Sequence, residues 1–393
     1  MPTLQFLPWC RLKKPITAGQ LRIIPYKDST PPSELSSDDL KRVRKILASY
    51  LTLEGYPIKE ACLVGFDGRP FLADLTDDER EIAYDIIDLV CFSALPKRDY
   101  YESIGSYSNS SVFIMYQQRF EDSTEFICVT ARRRDGRTSL SRPIEDAKFS
   151  EPVQSAGASI EIDEPLLAAL IKFRDTSPAG TWSRWQEAIT CFNQANSDAD
   201  AFRYQVEWVL LCGALERLLD VRRSKAEEVA SEFQNALQPK TPIWVKDSQA
   251  RKSKSKDQGS SLRYEWMRQF YELRNDFAHG RTVTHKHSAW TVNEHLVLSA
   301  IAFPIVARSL LARNGNYTLT DGDIAQITAF ESFADSGLVR QATQQRGGGA
   351  SIWRELQHEA SLERACEQAY EGLKESGYFN EGEEGSESGS GSV

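Results

Sequence analysis

Long apolar runs are missing from this chain of 393 residues. Without an uninterrupted stretch of about 18 apolar residues, we expect no transmembrane helix. The first ten residues include Pro2 and Pro8 and lack the basic-then-apolar pattern of a secretory signal. We therefore expect a cytoplasmic protein with no membrane partner.

Cysteine pairs at metal-binding spacing are also missing. The seven cysteines are odd in number and scattered, and most lie in apolar runs. This pattern predicts reduced, buried thiols in a cytosolic protein, and neither a disulfide framework nor a zinc site. They are Cys10, Cys62, Cys91, Cys128, Cys191, Cys212 and Cys366.

Several enzyme signatures are absent: the P-loop, the dinucleotide fingerprint, HExxH and GxSxG. We accordingly expect no cofactor. The net charge of −9 argues against a basic coat for nucleic acid over the whole surface, but it permits a local basic groove.

Residues 1–155 predict an α+β domain with a sensor or regulatory role. Thr76 and Glu79 have the spacing of a capping box before an apolar helix. Asp67-Gly68, between two β-rich runs, predicts a hairpin. Val112 to Tyr116 and Phe126 to Ala131 are β-branched and aromatic, which favours strands.

The second of these strands enters a basic tip that carries Arg133 and Arg134. Four arginines fall within residues 132–137, a density that suits a phosphate or RNA contact. The same charges would also arise in a solvated hairpin that protects its edge strand from pairing. Both interpretations stay open on the sequence alone.

The rest of the chain is helical in pattern after a small polar linker at 154–159. We expect an all-α bundle over 160–315, a helical extension over 316–379, and a disordered acidic tail over 380–393. The overall expectation is an α+β domain followed by a helical bundle.

A polar, basic loop spans 246–262 and is expected to be mobile. It is either a flap over a nucleic-acid substrate or an ordinary surface loop. If it is a flap, the RNA-binding candidates are Lys252, Lys254 and Lys256, and Arg281 is a further candidate beyond the next helix.

That next helix, expected over Leu262 to Ala278, ends in the segment of greatest chemical interest, Arg274-Asn275-Asp276-Phe277-Ala278-His279-Gly280. A cation and an imidazole at a helix end suit acid–base chemistry on a phosphate. They also suit a plain helix terminus, because Gly and His are both common there.

Helix geometry places Arg274 and His279 in different directions around this helix. Arg274 lies about 60° from Phe277 and so borders the buried face, whereas His279 lies about 140° from Arg274. The two would converge only if the helix ends at Gly280, so that His279 swings back, or if a second copy completes the site. Glu216 is the candidate anion for Arg274, because an arginine beside an apolar face needs one.

The segment Arg274–His279 is similar to the Arg-polar-x-x-x-His motif of HEPN-domain ribonucleases. Its context, with residues 188–195, then 213–219, then 273–280 in that order along the helical part, resembles the ApeA-like branch of that family. The resemblance covers roughly residues 163–315, and the helix order strengthens a short motif.

The resemblance implies a HEPN-like bundle and metal-independent RNA cleavage by a homodimer. His279 would be the general acid or base, Arg274 would stabilise the phosphate charge, and Asn275 would orient either one. Asp276 is a supporting candidate: either its negative charge raises the His279 pKa, or it simply faces solvent on the other side of the helix. Such proteins often act as toxins or anti-phage effectors of abortive infection, here with the N-terminal domain as sensor or brake and a phage or host protein as trigger.

Two other functional classes stay open. A non-catalytic HEPN module would bind RNA, a nucleotide or a protein partner, with Arg274 and His279 as structural groups. An antitoxin-like regulatory subunit would use its acidic character to mask a basic partner.

Four of the five histidines lie in one span, His279, His285, His287 and His295. The pair His285 and His287 has a spacing compatible with a metal. No cysteine lies nearby, and His279 already has a role in the ribonuclease hypothesis. We therefore expect no metal site.

Overall fold

A computed structural model shows a first part that mixes strands and helices, followed by a helical part. This agrees with the expected fold class at that coarse level. The structure describes residues 3–98, 108–119, 126–133, 136–143, 146–152, 160–199, 201–221, 225–237, 243–248, 259–278, 288–336 and 352–375.

The strands of the first part are short and mostly antiparallel. They are β1 (Thr3–Leu7), β2 (Ile16–Ala18), β3 (Leu21–Lys27), β4 (Tyr50–Leu51), β5 (Glu60–Phe66), β6 (Leu72–Ala73), β7 (Tyr116–Arg119), β8 (Phe126–Arg133), β9 (Gly136–Pro143) and β10 (Phe149–Ser150). The main sheet has the order β2-β3-β5-β1-β6, with β7 also paired to β1. A separate hairpin joins β8 to β9, and β10 pairs with β4 in parallel.

The helices are α1 (Ser37–Leu47), α2 (Asp77–Ala94), α3 (Glu164–Thr176), α4 (Ala179–Ala195), α5 (Tyr204–Leu218), α6 (Ala226–Ala236), α7 (Leu262–Ala278), α8 (Val292–Arg313), α9 (Asp321–Ser336) and α10 (Ile352–Glu375). In the bundle, α4 packs on α5, α5 on α7 and α8, and α6 on α7.

Local sequence signals explain where several helices begin. Thr76 and Glu79 form the predicted capping box of α2, since each side chain bonds the other residue's backbone N–H. Thr291 and Glu294 do the same for α8. Each box satisfies backbone donors that a helix start would otherwise leave unpaired.

Helix α2 joins the sheet to the bundle. One face of the sheet packs on α1, and the opposite face, with Cys62 and Val64, belongs to the same apolar cluster as Ile86 and Val90 of α2. That cluster continues into α3, α4, α5, α7 and α8. The expected boundary near residue 155 stays a prediction, while the core on either side of it is continuous.

The ring of Phe92 shows this continuity most directly. It meets the ring of Phe192 on α4 at 5.5 Å between centroids and the ring of Phe303 on α8 at 5.5 Å. Phe192 and Phe303 themselves stack at 4.4 Å. Three helices from both parts of the chain therefore share one aromatic contact.

One helix is long and apolar enough, by composition alone, to cross a membrane. This is α8, and 78% of its most apolar window is buried inside the fold, as in the central helix of a soluble protein. His295 and Arg308 interrupt its apolar run. The cytoplasmic location stays a prediction.

Two predictions in the first part are wrong in detail. The turn at Asp67-Gly68 forms, with Gly68 at φ +70°, but β1 lies between β5 and β6, so no hairpin results. Residues Ser110–Phe113 form a 3-10 helix instead of starting a strand. The Asn109 side chain accepts a hydrogen bond from the Ser111 N–H at 3.0 Å, a local turn that overrides β propensity.

One further prediction needs correction, that of buried cysteines. Cys366 is exposed and Cys191 is half-buried, whereas Cys10, Cys62 and the other described thiols are buried. The side chain of Cys128 lies outside what the structure describes.

Candidate functional site

The contact between α5 and α7 positions the candidate motif. The indole Nε1 of Trp208 donates to the carbonyl oxygen of Phe270 at 2.9 Å, and the thiol of Cys212 donates to the same oxygen at 3.7 Å. Two side chains of α5 therefore hold α7 one turn before Arg274. The predicted bounds of α7, Leu262 to Ala278, are confirmed.

Arg274 borders the buried face of α7, as its helical position predicts. Arg274 is half-buried. Its guanidinium carbon lies 5.5 Å from the ring centroid of Tyr271. Its Nη1 donates to Oδ1 of Asn275 at 3.2 Å. Its Nε is buried and has no hydrogen-bond partner.

Glu216 contacts this group through Tyr271. The Tyr271 hydroxyl donates to Oε2 of Glu216 at 3.0 Å. Among the ion pairs between described residues, none joins Glu216 to Arg274, so the expected direct pair is replaced by an aromatic ring that contacts both. Sequence reasoning missed Tyr271, although its position three residues before Arg274 places it on the same side of the helix.

Both charges act on the thiol of Cys212. Burial raises the pKa of Cys212 well above its ordinary value, Arg274 lowers it, and Glu216 raises it. The influence of both groups on one buried sulfur shows that they lie around the same point of the α5–α7 contact. Cys212 itself, with a raised pKa, is unsuited to act as a thiolate nucleophile.

Other arginines of the helical part are matched with carboxylates. Arg263 pairs with Glu331 through two contacts of 2.8 and 2.9 Å, and Arg308 pairs with Asp163. Arg268 pairs with Glu265 at 2.9 Å. Arg274 differs because its described side-chain partners are a neutral amide and a ring.

The ring of Phe277 continues the motif toward the start of α5. It lies 5.1 Å from the Trp208 ring and 5.8 Å from the Tyr204 ring, both edge to face. Asp276 is half-buried on the following turn. These ring contacts hold the last described turn of α7 against α5.

The remaining site candidates lie beyond what the structure describes. His279 and Arg281, the loop residues Lys252, Lys254 and Lys256, and Arg134 all lie outside the described residues. Arg133 is described only in its backbone, as the last residue of β8. The structure therefore brings together Arg274, Asn275 and Glu216, and the position of His279 stays a prediction.

His295 is part of a buried polar network. Its Nε2 lies 3.2 Å from Oγ of Ser288, and the Trp208, Trp266, Phe270 and Trp290 rings surround it within 6.2 Å. Ser288 donates to Oε1 of Gln269 at 3.2 Å. Ser288, which follows α7 in the chain, is thereby anchored near the middle of α7.

These contacts give His295 a structural role instead of a role as a metal ligand beside His285 and His287. Within the described ranges, no group of three or more His, Cys, Asp or Glu side chains is placed to hold a metal ion. His285 and His287 fall outside those ranges.

Comparison of the chain with family models, with curated proteins and with solved structures gave no match. The HEPN resemblance therefore rests on the motif residues and on the order of the helices that carry them.

Proposed function

We propose that this protein is a metal-independent endoribonuclease of the HEPN type, a toxin or anti-phage effector controlled by its N-terminal part. The observation that supports this most is the state of Arg274. Arg274 is half-buried, and its described side-chain partners are the neutral Asn275 amide and the Tyr271 ring, so its charge is left to bind an anion. The scissile phosphate of RNA is such an anion.

The proposed chemistry divides between two residues. Arg274 stabilises the charge that develops on the phosphate. His279 transfers the proton of the 2′-hydroxyl or of the leaving oxygen. Asn275 accepts a hydrogen bond from Nη1 of Arg274, which supports a role in orienting the guanidinium.

The active form is proposed to be a homodimer. Phe202, Tyr204 and Val206 are 46%, 39% and 44% exposed at the start of α5, and Tyr204 touches Phe277 of the motif helix. An exposed apolar group of this kind next to the site suits burial against a second copy. A second copy would supply the partner residues that one straight helix cannot direct at a single phosphate.

The test is RNA cleavage in EDTA by the wild type, by Arg274→Ala and by His279→Ala, with cognate activator or phage-infected extract present. We expect wild-type cleavage to resist EDTA. Cleavage should fall by about 10²–10³-fold without the arginine and by about 10²–10⁴-fold without the histidine. Arg217→Ala is the matched control, because Arg217 on α5 is partly exposed and paired with Glu187.

Equal and complete survival of RNA with all four proteins under every condition would exclude the ribonuclease. RNA binding that survives His279→Ala without cleavage would instead support the non-catalytic binding module. Loss of activity on chelation would contradict the metal-independent mechanism.

A further inference from the structure

We propose that Tyr271, held in place by Glu216, is a positioning residue that presents the Arg274 guanidinium to an incoming phosphate. This rests on the proposed function and identifies which groups prepare the arginine for it.

The first step of the argument is the rigidity of Tyr271. The residue is 0% exposed, and its hydroxyl donates to Glu216 on α5 at 3.0 Å. A buried phenol hydroxyl needs a hydrogen-bond partner, and a carboxylate is a strong one. The ring is therefore fixed both by packing and at its polar end.

The second step concerns the surface that this ring offers. The guanidinium carbon of Arg274 lies 5.5 Å from its centroid, within the range of a cation–π contact. An aromatic face holds a cation without occupying the N–H donors, whereas a carboxylate would occupy them. Arg274 is thus held in place by the ring, and its one described hydrogen bond is the donation from Nη1 to Asn275.

The third step is the charge of Glu216. A carboxylate in direct contact with Arg274 would compete with a phosphate for the same donors. Here the carboxylate accepts the tyrosine hydroxyl, which makes the ring a better acceptor of the cation. Glu216 therefore supports the arginine through Tyr271.

The arrangement differs from that of the paired arginines. Arg263 reaches Glu331 through two direct contacts, and its donors are occupied on both sides, because Nη1 also donates to the Leu237 carbonyl at 2.7 Å. That pattern suits a structural arginine. The Tyr271 arrangement suits an arginine that must accept a ligand.

The experiment compares steady-state cleavage of a short single-stranded RNA by wild type, Tyr271→Phe, Tyr271→Leu and Glu216→Gln. Tyr271→Phe keeps the ring and loses the Glu216 bond, so we expect kcat to fall about tenfold with KM nearly unchanged. Tyr271→Leu, which removes the ring, should lower kcat almost as much as Arg274→Ala does. In the Arg274→Ala background, Tyr271→Phe should have no further effect, because both act through one group.

Tyr317→Phe is the matched control. Tyr317 also donates to a carboxylate oxygen, that of Asp323, at 3.0 Å, but at the start of α9. It should leave kcat unchanged. Equal losses of kcat in Tyr317→Phe and Tyr271→Phe, or additive losses in the Arg274→Ala background, would overturn the positioning role.

A spectroscopic measurement separates this inference from the proposed function. The Nε–H signal of Arg274, assigned by its loss in Arg274→Lys, should show a ring-current shift that moves in Tyr271→Phe and disappears in Tyr271→Leu. If RNA stays intact but the signal behaves this way, the ribonuclease fails and the positioning role stands. If RNA is cleaved and the signal is the same in all variants, the positioning role fails alone.

Discussion

At the scale of single residues, buried charge separates structural groups from functional ones. The side chains of Arg263 and Glu331 are 1% and 3% exposed and join α7 to α9. The donors of Arg263 are occupied by Glu331 and by a backbone carbonyl. Arg274, eleven residues later on the same helix, has only the neutral Asn275 amide and the Tyr271 ring as described side-chain partners. The contrast within one helix identifies the second arginine as the candidate for ligand binding.

Glu331→Gln tests the structural assignment. It leaves the guanidinium of Arg263 buried without its counter-charge, which typically costs about 3–5 kcal/mol of unfolding free energy. Urea unfolding followed by circular dichroism measures the loss. Glu187→Gln is the control, since Glu187 and its partner Arg217 are 61% and 42% exposed, and such pairs contribute at most about 1 kcal/mol. Similar losses in both variants would contradict the assignment.

At the scale of elements, the seam between α2 and α4 is polar where it reaches the surface. The carboxyl of Asp88 accepts hydrogen bonds from Thr190 at 2.7 Å and from Asn193 at 3.4 Å. Burial raises the pKa of Asp88 above its ordinary value, while these two bonds lower it. Burial and the nearby Asp88 also raise the pKa of Asp85. We therefore expect the contact of α2 with the bundle to depend on pH.

The sign of this dependence follows from the raised pKa. A group whose pKa is higher in the folded state contributes stability that is fully present below its unfolded value, about 3.9 for Asp. That contribution is lost as pH rises through the folded value. Asp88→Asn should therefore raise the unfolding free energy at pH 7.5 and flatten its change as pH rises from about 4 to 7.5.

Urea titrations at several pH values in that window measure the effect. Glu232→Gln on the exposed face of α6 is the control and should leave the slope with pH unchanged. A slope that is the same in wild type and in Asp88→Asn would show that this carboxyl does not control the seam.

At the scale of the whole molecule, one continuous core crosses the expected domain boundary. The Phe92, Phe192 and Phe303 rings join α2 to α4 and α8. The backbone N–H of Asp163, at the start of α3, donates to the carbonyl oxygen of Ser93, near the end of α2, at 2.9 Å. These contacts predict that both parts unfold together, although they were expected to be separate domains.

Unfolding of the full chain in urea tests this cooperativity. Far-ultraviolet circular dichroism and tryptophan fluorescence should report coincident transitions. Phe92→Ala should move both by the same amount, with a loss of about 3–5 kcal/mol. Two separated transitions, or a shift in only one probe, would support independent domains.

Much of the helical part follows from local pattern. The apolar spacing from Leu262 to Phe277 predicts α7 with its observed bounds, and Thr76 with Glu79 predicts the start of α2. The position of Arg274 at the border of the buried face follows from the same spacing. Helix hydrogen bonds and caps join residues three or four apart, so neighbouring sequence is enough to specify them.

Only the tertiary structure decided the order of the strands and the surroundings of Arg274. Strand β1 lies between β5 and β6, although a tight turn connects β5 to the segment before β6. The bond from Tyr271 to Glu216 spans 55 residues. Strand pairing and contacts between helices depend on segments far apart in sequence, whose packing competes over the whole chain. The sequence by itself determined which residues form the motif helix, and the fold decided that Tyr271 stands between its arginine and Glu216.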